Sequence, residues 1–284
     1  MPVQPDALDI LERTSRTFFI PISRLPSGLR EAITSAYLCM RAIDEIEDHP
    51  ALDPLIKVRQ LRAISQLFQA QTTIAAFSHS DFSALFSGAP TDQPEVTLRL
   101  SEWACLAPES IAPRIWDSIA AMAERMAFWV ENGWTIHTQS DLDRYTFGVA
   151  GAVGLLICDI GAWSDGFQMS RTPAIQFGRG LQAVNILRNR TADVARGVDF
   201  FPTGWTPTHM TDYARGNLAL AHAYAQTLPT TPFAYFIQIP LALAIATLDT
   251  LDRGEEKLSR SAVESLVQLL TPDDTPPAKG SLHG

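Results

Sequence analysis

The feature that most limits what this chain can fold into is a helical period sustained over long segments, with no competing strand period. Apolar residues recur at three and four in Leu55, Val58, Leu61, Ile64, Leu67 and Phe68, the pattern of one buried helix face. The same spacing predicts helices over Leu29–Asp48, Leu55–Ala70, Ile111–Val130, Leu142–Ile160, Ala174–Ala195, Asp212–Leu228 and Phe233–Leu258. His49-Pro50 stops the first of these. Period-two alternation between turn residues is not sustained anywhere, so strands are not expected. Ser78–Gln93, rich in Ser, Gly, Pro and Asp, reads as a loop. The expected fold is all-α: one helical bundle over residues 1–265, followed by a polar tail at 266–284.

Bulk properties narrow the function. A hydrophobic content of 46% supports a real core, and charged residues at 19% argue against disorder. The net charge of −9 makes nucleic acid an unfavourable partner. The three cysteines, Cys39, Cys105 and Cys158, have no metal-binding or disulfide spacing, which fits a reducing, cytoplasmic setting. The N-terminus lacks a basic and then apolar leader pattern. The runs Phe147–Ile157 and Ala234–Leu248 are shorter than the ~20 residues of a membrane helix, and Pro240 interrupts the second. A soluble protein without a transmembrane anchor is expected; the sequence leaves its oligomeric state open.

Two polar rows carry the chemistry. In Arg41-Ala-Ile-Asp44-Glu-Ile-Glu-Asp48, Asp44 and Asp48 lie four residues apart, within ~40° on one helix face and ~6 Å apart along the axis. Paired like charges at a helix C-terminus, where the macrodipole also disfavours acids, are tolerable if a cation sits between them. Mg²⁺ suits this because it takes hard oxygen ligands and bridges carboxylates to phosphate oxygens. A solvated acidic face is the plainer reading. The second row, Asn185, Asn189 and Asp193, repeats every four residues over ~12 Å of helix. Asn is a poor mid-helix residue, so two in register weigh against a merely solvated face. Amide oxygens and one carboxylate leave room for diphosphate oxygens on a shared cation, and the spacing is similar to the Asn/Ser/Glu metal row of class I terpene synthases. Arg41, Arg188 and Arg190 lie in these segments and Arg16 lies near the N-terminus, each offering forked donors to phosphate. The glycines of Tyr145-Thr-Phe147-Gly148-Val-Ala-Gly151-Ala-Val-Gly154 mark either close helix packing or space for a ligand chain.

These segments resemble the squalene/phytoene synthase family over most of the chain. Ser15–Phe18 (SRTF) resembles its SRSF start, and Ala36–Asp48 its RAxDxxED helix. Tyr145–Gly154 resembles YCYYVAGTVG, Leu181–Asp193 LQxTNILRDxxED, Arg196–Pro202 RGRxYLP, and Ile239–Leu248 the late IPxxxAxATL helix. The resemblance implies the isoprenoid synthase bundle around a central apolar cavity, with two or three Mg²⁺ ions and a prenyl diphosphate substrate. It makes Asp44, Asp48, Asn185, Asn189 and Asp193 metal ligands. Arg16, Arg41 and Arg188 become diphosphate contacts. Phe18, Tyr37, Phe147, Gly148 and Gln182 become substrate contacts, and Tyr145 lines the reaction centre.

The chain departs from the family pattern at Asn189 (Asp), Ala192 (acid), Val198 (Arg) and Gly148 (Tyr). Losing carboxylates and an Arg weakens a site that must handle two diphosphates more than one that ionises a single chain. The expected activity is therefore a Mg²⁺-dependent class I terpene synthase. It would release diphosphate from farnesyl diphosphate and cyclise the cation to a sesquiterpene such as humulene, similar to fungal humulene-type cyclases. Head-to-head prenyl transfer, giving squalene, hydroxysqualene or presqualene diphosphate, is the alternative. A non-catalytic isoprenoid-binding protein is a third reading.

Overall fold

The computed structural model describes residues 5–87, 93–255 and 257–270, apart from the side chains of Pro5, Arg16 and Asp165. The expected tail at 266–284 therefore lies mostly outside the described residues, and a helix crosses its expected start. All regular structure among the described residues is helical. The elements are α1 (Pro5–Thr14), α2 (Arg16–Ser23), α3 (Leu29–Asp48), α4 (Pro54–Ala70), α5 (His79–Leu85), α6 (Glu95–Leu98) and α7 (Leu100–Ala104). They continue with α8 (Ala112–Glu131), α9 (Gln139–Thr146), a π-turn (Phe147–Gly151), α10 (Ala152–Asp165), α11 (Arg171–Ala195), α12 (Pro207–Ala225), α13 (Pro232–Asp252) and α14 (Arg260–Leu270).

Local chemistry sets the ends of the long helices. Asp53 accepts from the Leu55 amide at 2.8 Å, and Pro54 takes the first position of α4, where no N–H is needed. At the start of α3 the Glu31 carboxylate accepts from the Gly28 amide. Pairs α4–α8 and α11–α12 pack along their lengths, and a continuous core with fully buried Trp103 and Trp116 fills the space between layers.

Three expectations change. The loop at 78–93 contains α5, because Phe82 is drawn into an aromatic cluster 4.8 Å from Phe68 and 5.0 Å from Phe77. Burying that ring is worth about 1.5–3 kcal/mol, enough to outweigh the polar local sequence. The helix expected over 142–160 is present but carries a π-turn, with wider turns than an α-helix, over Phe147–Gly151. Two glycines serve close packing here, and both also line the cavity described below. A Cβ on Gly154 would lie 2.0 Å from the Ala174 carbonyl oxygen, and one on Gly178 would lie 2.2 Å from that of Ala150. The glycines let two backbones touch. Finally, the apolar runs extend further as helices than as sequence. Gln139–Ser164 and Pro232–Asp252 are long and apolar enough to cross a membrane by length and composition, with 56% of each apolar window buried in the bundle. Pro240 does not stop α13; it is buried within it.

Candidate active site

α2, α3, α10, α11 and α13 enclose a cavity of about 430 Å³, a size typical of small-molecule sites. Its deep wall is apolar: Ile22, Ile33, Met122, Ile157, Phe177, Phe236 and Leu243. Its polar part is Ser15, Arg41, Asp44, Gln182, Asn185 and Arg188. One cavity thus brings charged groups of α3 and α11 together with a largely apolar wall.

On α3, Arg41 reaches along its own helix to Asp44 at 2.6 Å and also to the Glu45 carboxylate. Burial, and then the Asp48 charge, push the Asp44 carboxyl up to about 7. With 34% of the Asp44 side chain exposed, solvent screens part of this effect. Glu47 points the other way, into the protein, and burial raises it to about 8. On α11, Arg188 folds back over the amide row, donating to Asn185 Oδ1 at 3.1 Å and to Asn189 Oδ1 at 3.3 Å. Asp193 is also raised, chiefly by burial.

The two rows meet through Arg196. Its guanidinium lies 2.7 Å from Asp48 Oδ1 and 3.0 Å from Asp193 Oδ1, so one cation spans carboxylates 145 residues apart in sequence. The reason is local. Gly197 adopts φ +88°, a left-handed setting that ends α11 and folds the chain back. The Val198 amide then donates to the Asp193 carbonyl at 3.0 Å, so Arg196 and Asp193 share one turn. Arg196 belongs to the Arg196–Pro202 motif without an expected role of its own; an Arg-Gly pair closing an acid-bearing helix is the signal for it in the sequence.

The donor types suit Mg²⁺: two carboxylates on α3, two amides and a carboxylate on α11. Among the described residues no group of three or more His, Cys, Asp or Glu side chains converges as a ready-made cage. Mg²⁺ does not need one, since it is usually held by one or two carboxylates plus substrate phosphates. The fit is therefore to a metal–diphosphate complex rather than to bare metal.

Of the expected site residues, Phe18, Tyr37, Arg41, Asp44, Gln182, Asn185 and Arg188 line the cavity. Phe18 and Tyr37 pack together with ring centroids 5.5 Å apart. Asp48, Asn189 and Asp193 lie beyond its lining. Tyr145 is buried between Trp129 and Phe200, at 5.5 and 4.7 Å, and does not line the cavity. Phe147 faces the guanidinium groups of Arg125 and Arg179, at 5.4 and 6.0 Å, and Gly148 faces Arg125. Arg16 is among the side chains the structure does not describe.

An all-α bundle with facing acid- and amide-bearing helices over an apolar cavity defines an isoprenoid synthase fold. Comparison with known proteins agrees. The squalene/phytoene synthase family model matches residues 11–209, and the chain belongs to that family. It is 28% identical to a squalene synthase of Eremothecium gossypii, covering 90% of this chain and 63% of that protein. It is 27% identical to a lycopaoctaene synthase of Botryococcus braunii, covering 66% of this chain and 41% of that protein. The chain thus spans about three-fifths of the length of the squalene synthases it matches over most of its own length. Among solved structures, TcSQS bound to E5700 superposes with a TM-score of 0.76 at 19% identity, covering 93% of this chain and 84% of that one. A dehydrosqualene synthase superposes with a TM-score of 0.68 at 16% identity, covering 93% and 94%.

These findings correct the expectation of a sesquiterpene cyclase, and with it the lyase assignment. The named relatives are squalene and lycopaoctaene synthases, which point to head-to-head coupling instead. Val198 stands where the family pattern has its second Arg, while Arg196, the first Arg of that pattern, is present and places a guanidinium between the two rows.

Proposed function

We propose that the protein is a prenyltransferase of the squalene/phytoene synthase type, joining two allylic prenyl diphosphates head to head. Farnesyl diphosphate is the proposed substrate, by analogy with the relatives named squalene synthase. The observation that carries this reading is a cavity that holds Arg41, Asp44 and Arg188 together with a largely apolar wall. In one chain the C–O bond to diphosphate breaks, and diphosphate leaves with the electron pair. The allylic cation is then captured by the double bond of the second chain. The new cation loses a proton from the first chain's former C1 to the released diphosphate as a cyclopropane ring closes, which leaves a C30 diphosphate with a neutral skeleton. Arg41 and Arg188 present forked donors to the phosphate oxygens. The apolar wall keeps water from the cation. Bound Mg²⁺ would supply Lewis-acid stabilisation of the leaving diphosphate, held by Asp44 and Asp48 on one side and Asn185, Asn189 and Asp193 on the other.

The test is incubation of the full chain with labelled farnesyl diphosphate and Mg²⁺, with and without NADPH. C30 products are expected: a C30 diphosphate without reductant, and a C30 hydrocarbon when hydride is supplied. Products containing one prenyl chain only would overturn the proposal.

A further inference from the structure

Below the acid row, three energetically unfavourable features converge on the last turn of α3. Glu47 is a carboxyl group with 4% of its surface exposed, and the Trp134 indole donates to its Oε1 at 2.7 Å. Lys57, from α4, is buried as well, and its ammonium donates to the Glu47 backbone carbonyl at 2.6 Å. That carbonyl is one of the four at a helix end left without an intrahelical partner, and a cation there also offsets the macrodipole. The same ammonium lies 5.6 Å from the Trp134 ring. Trp134 itself sits at φ +48°, the one non-glycine residue in the left-handed region among those described. Bulky residues avoid that region, and such strain persists only where surrounding contacts enforce it. The Trp134 amide donates to the Trp129 carbonyl at 2.9 Å, which fixes the indole on the end of α8.

None of this is needed to end a helix; a glycine and a solvated acid would do so at lower cost. What the arrangement achieves is mechanical. Asp44 and Asp48 flank Glu47 on the same turn; Arg41 and Arg196 offset part of their mutual repulsion, and contacts from behind add a hold on the rotation of the turn. Trp134 holds the Glu47 side chain, and Lys57 holds its backbone.

We propose that Trp134 is a positioning residue: through its hydrogen bond to Glu47, with Lys57 as a second strut, it fixes the rotational setting of Asp44 and Asp48 toward α11. The inference rests on the metal–diphosphate role proposed above for those acids. It predicts that the strut acts on metal affinity separately from stability.

The experiment is calorimetric titration of the full chain with Mg²⁺ in the presence of inorganic pyrophosphate, together with melting curves. Trp134→Phe keeps an aromatic ring but loses the donor; Mg²⁺ binding is expected to weaken about tenfold, with faster amide exchange at residues 44–49. Glu47→Gln keeps an oxygen that can accept from the indole and should bind within about twofold of the wild type. Glu47→Met replaces the buried carboxyl group by an apolar side chain of similar volume, so it should melt higher while binding Mg²⁺ more weakly. A structural role alone would move both quantities in the same direction. The Glu47 variants keep the test open should Trp134→Phe fail to fold. Wild-type-like metal binding in Trp134→Phe or in Glu47→Met would overturn the inference. So would a loss in Glu47→Gln as large as in Asp48→Asn, since Glu47 would then be a ligand itself. A wild-type chain that binds no Mg²⁺–pyrophosphate would sink the functional reading as well.

Discussion

The two polar rows of this protein face each other but are built differently. The α3 row is held from several sides: Arg41 pairs with Asp44, Arg196 with Asp48, and Glu47 is buried beneath them. The α11 row is mostly exposed. Its amides are covered by Arg188, and only Asp193 carries charge. The contrast suggests a division of labour. Repelling acids in fixed positions provide a strong, preorganised field for a cation. A row of neutral amides adapts to the diphosphate that arrives with it. Arg196 is the hinge of the contrast, since it is the ion-pair contact joining both rows.

The sharpest way to break this comparison is to neutralise the fixed row. Asp44→Asn should lower turnover by about a thousandfold, roughly 4 kcal/mol of transition-state stabilisation, in a steady-state assay at saturating Mg²⁺. A smaller loss than that from any α11 variant would reverse the assignment. On the adaptable side, Asp193→Asn should cost less, about 10–100-fold, and should appear mainly as a higher Mg²⁺ requirement. Arg196→Gln tests the link itself. Losing two charge-assisted hydrogen bonds should raise the KM for prenyl diphosphate about tenfold, while sparing the cavity and hence product chain length.

The smallest effect is on stability and has a definite sign. The folded-state carboxyl of Asp44 stands above its usual 3.8, at about 7. Its ionised form is therefore disfavoured in the metal-free fold. Stability is fully retained below about pH 4, where the unfolded chain is also protonated, and falls as pH rises through about 7. After discounting for solvent screening, Asp44→Asn at pH 8 in chelator should be more stable by about 1 kcal/mol, a rise of roughly 2–4 °C in Tm. The gap should close toward pH 4 and again when Mg²⁺ and pyrophosphate are added to the wild type. A gap independent of pH in calorimetry would contradict this account.

Much of the site was legible before the fold. The limits of α3 followed from its apolar period and from His49-Pro50, and the i, i+4 spacing set Asp44 beside Asp48 because helix geometry is local. Asn185 and Asp193 follow from the same geometry. The π-turn was not legible; it lies beside the close backbone approaches of Gly178 to Ala150 and of Gly154 to Ala174, which join different helices. Tyr145 shows the limit of reading roles from a motif: position in the chain does not say which side of a wall a ring packs on.

The sequence by itself determined most of the long helices, the two polar rows and the family to which the chain belongs, because these rest on short spacings and ordered motifs. The tertiary structure alone decided what closes the gap between the rows and what supports them. Arg196 reaches Asp48 from 148 residues away, and the Trp134 indole reaches Glu47 across 87. Such contacts depend on how helices are laid against one another, which burial of the whole core selects and no local pattern encodes.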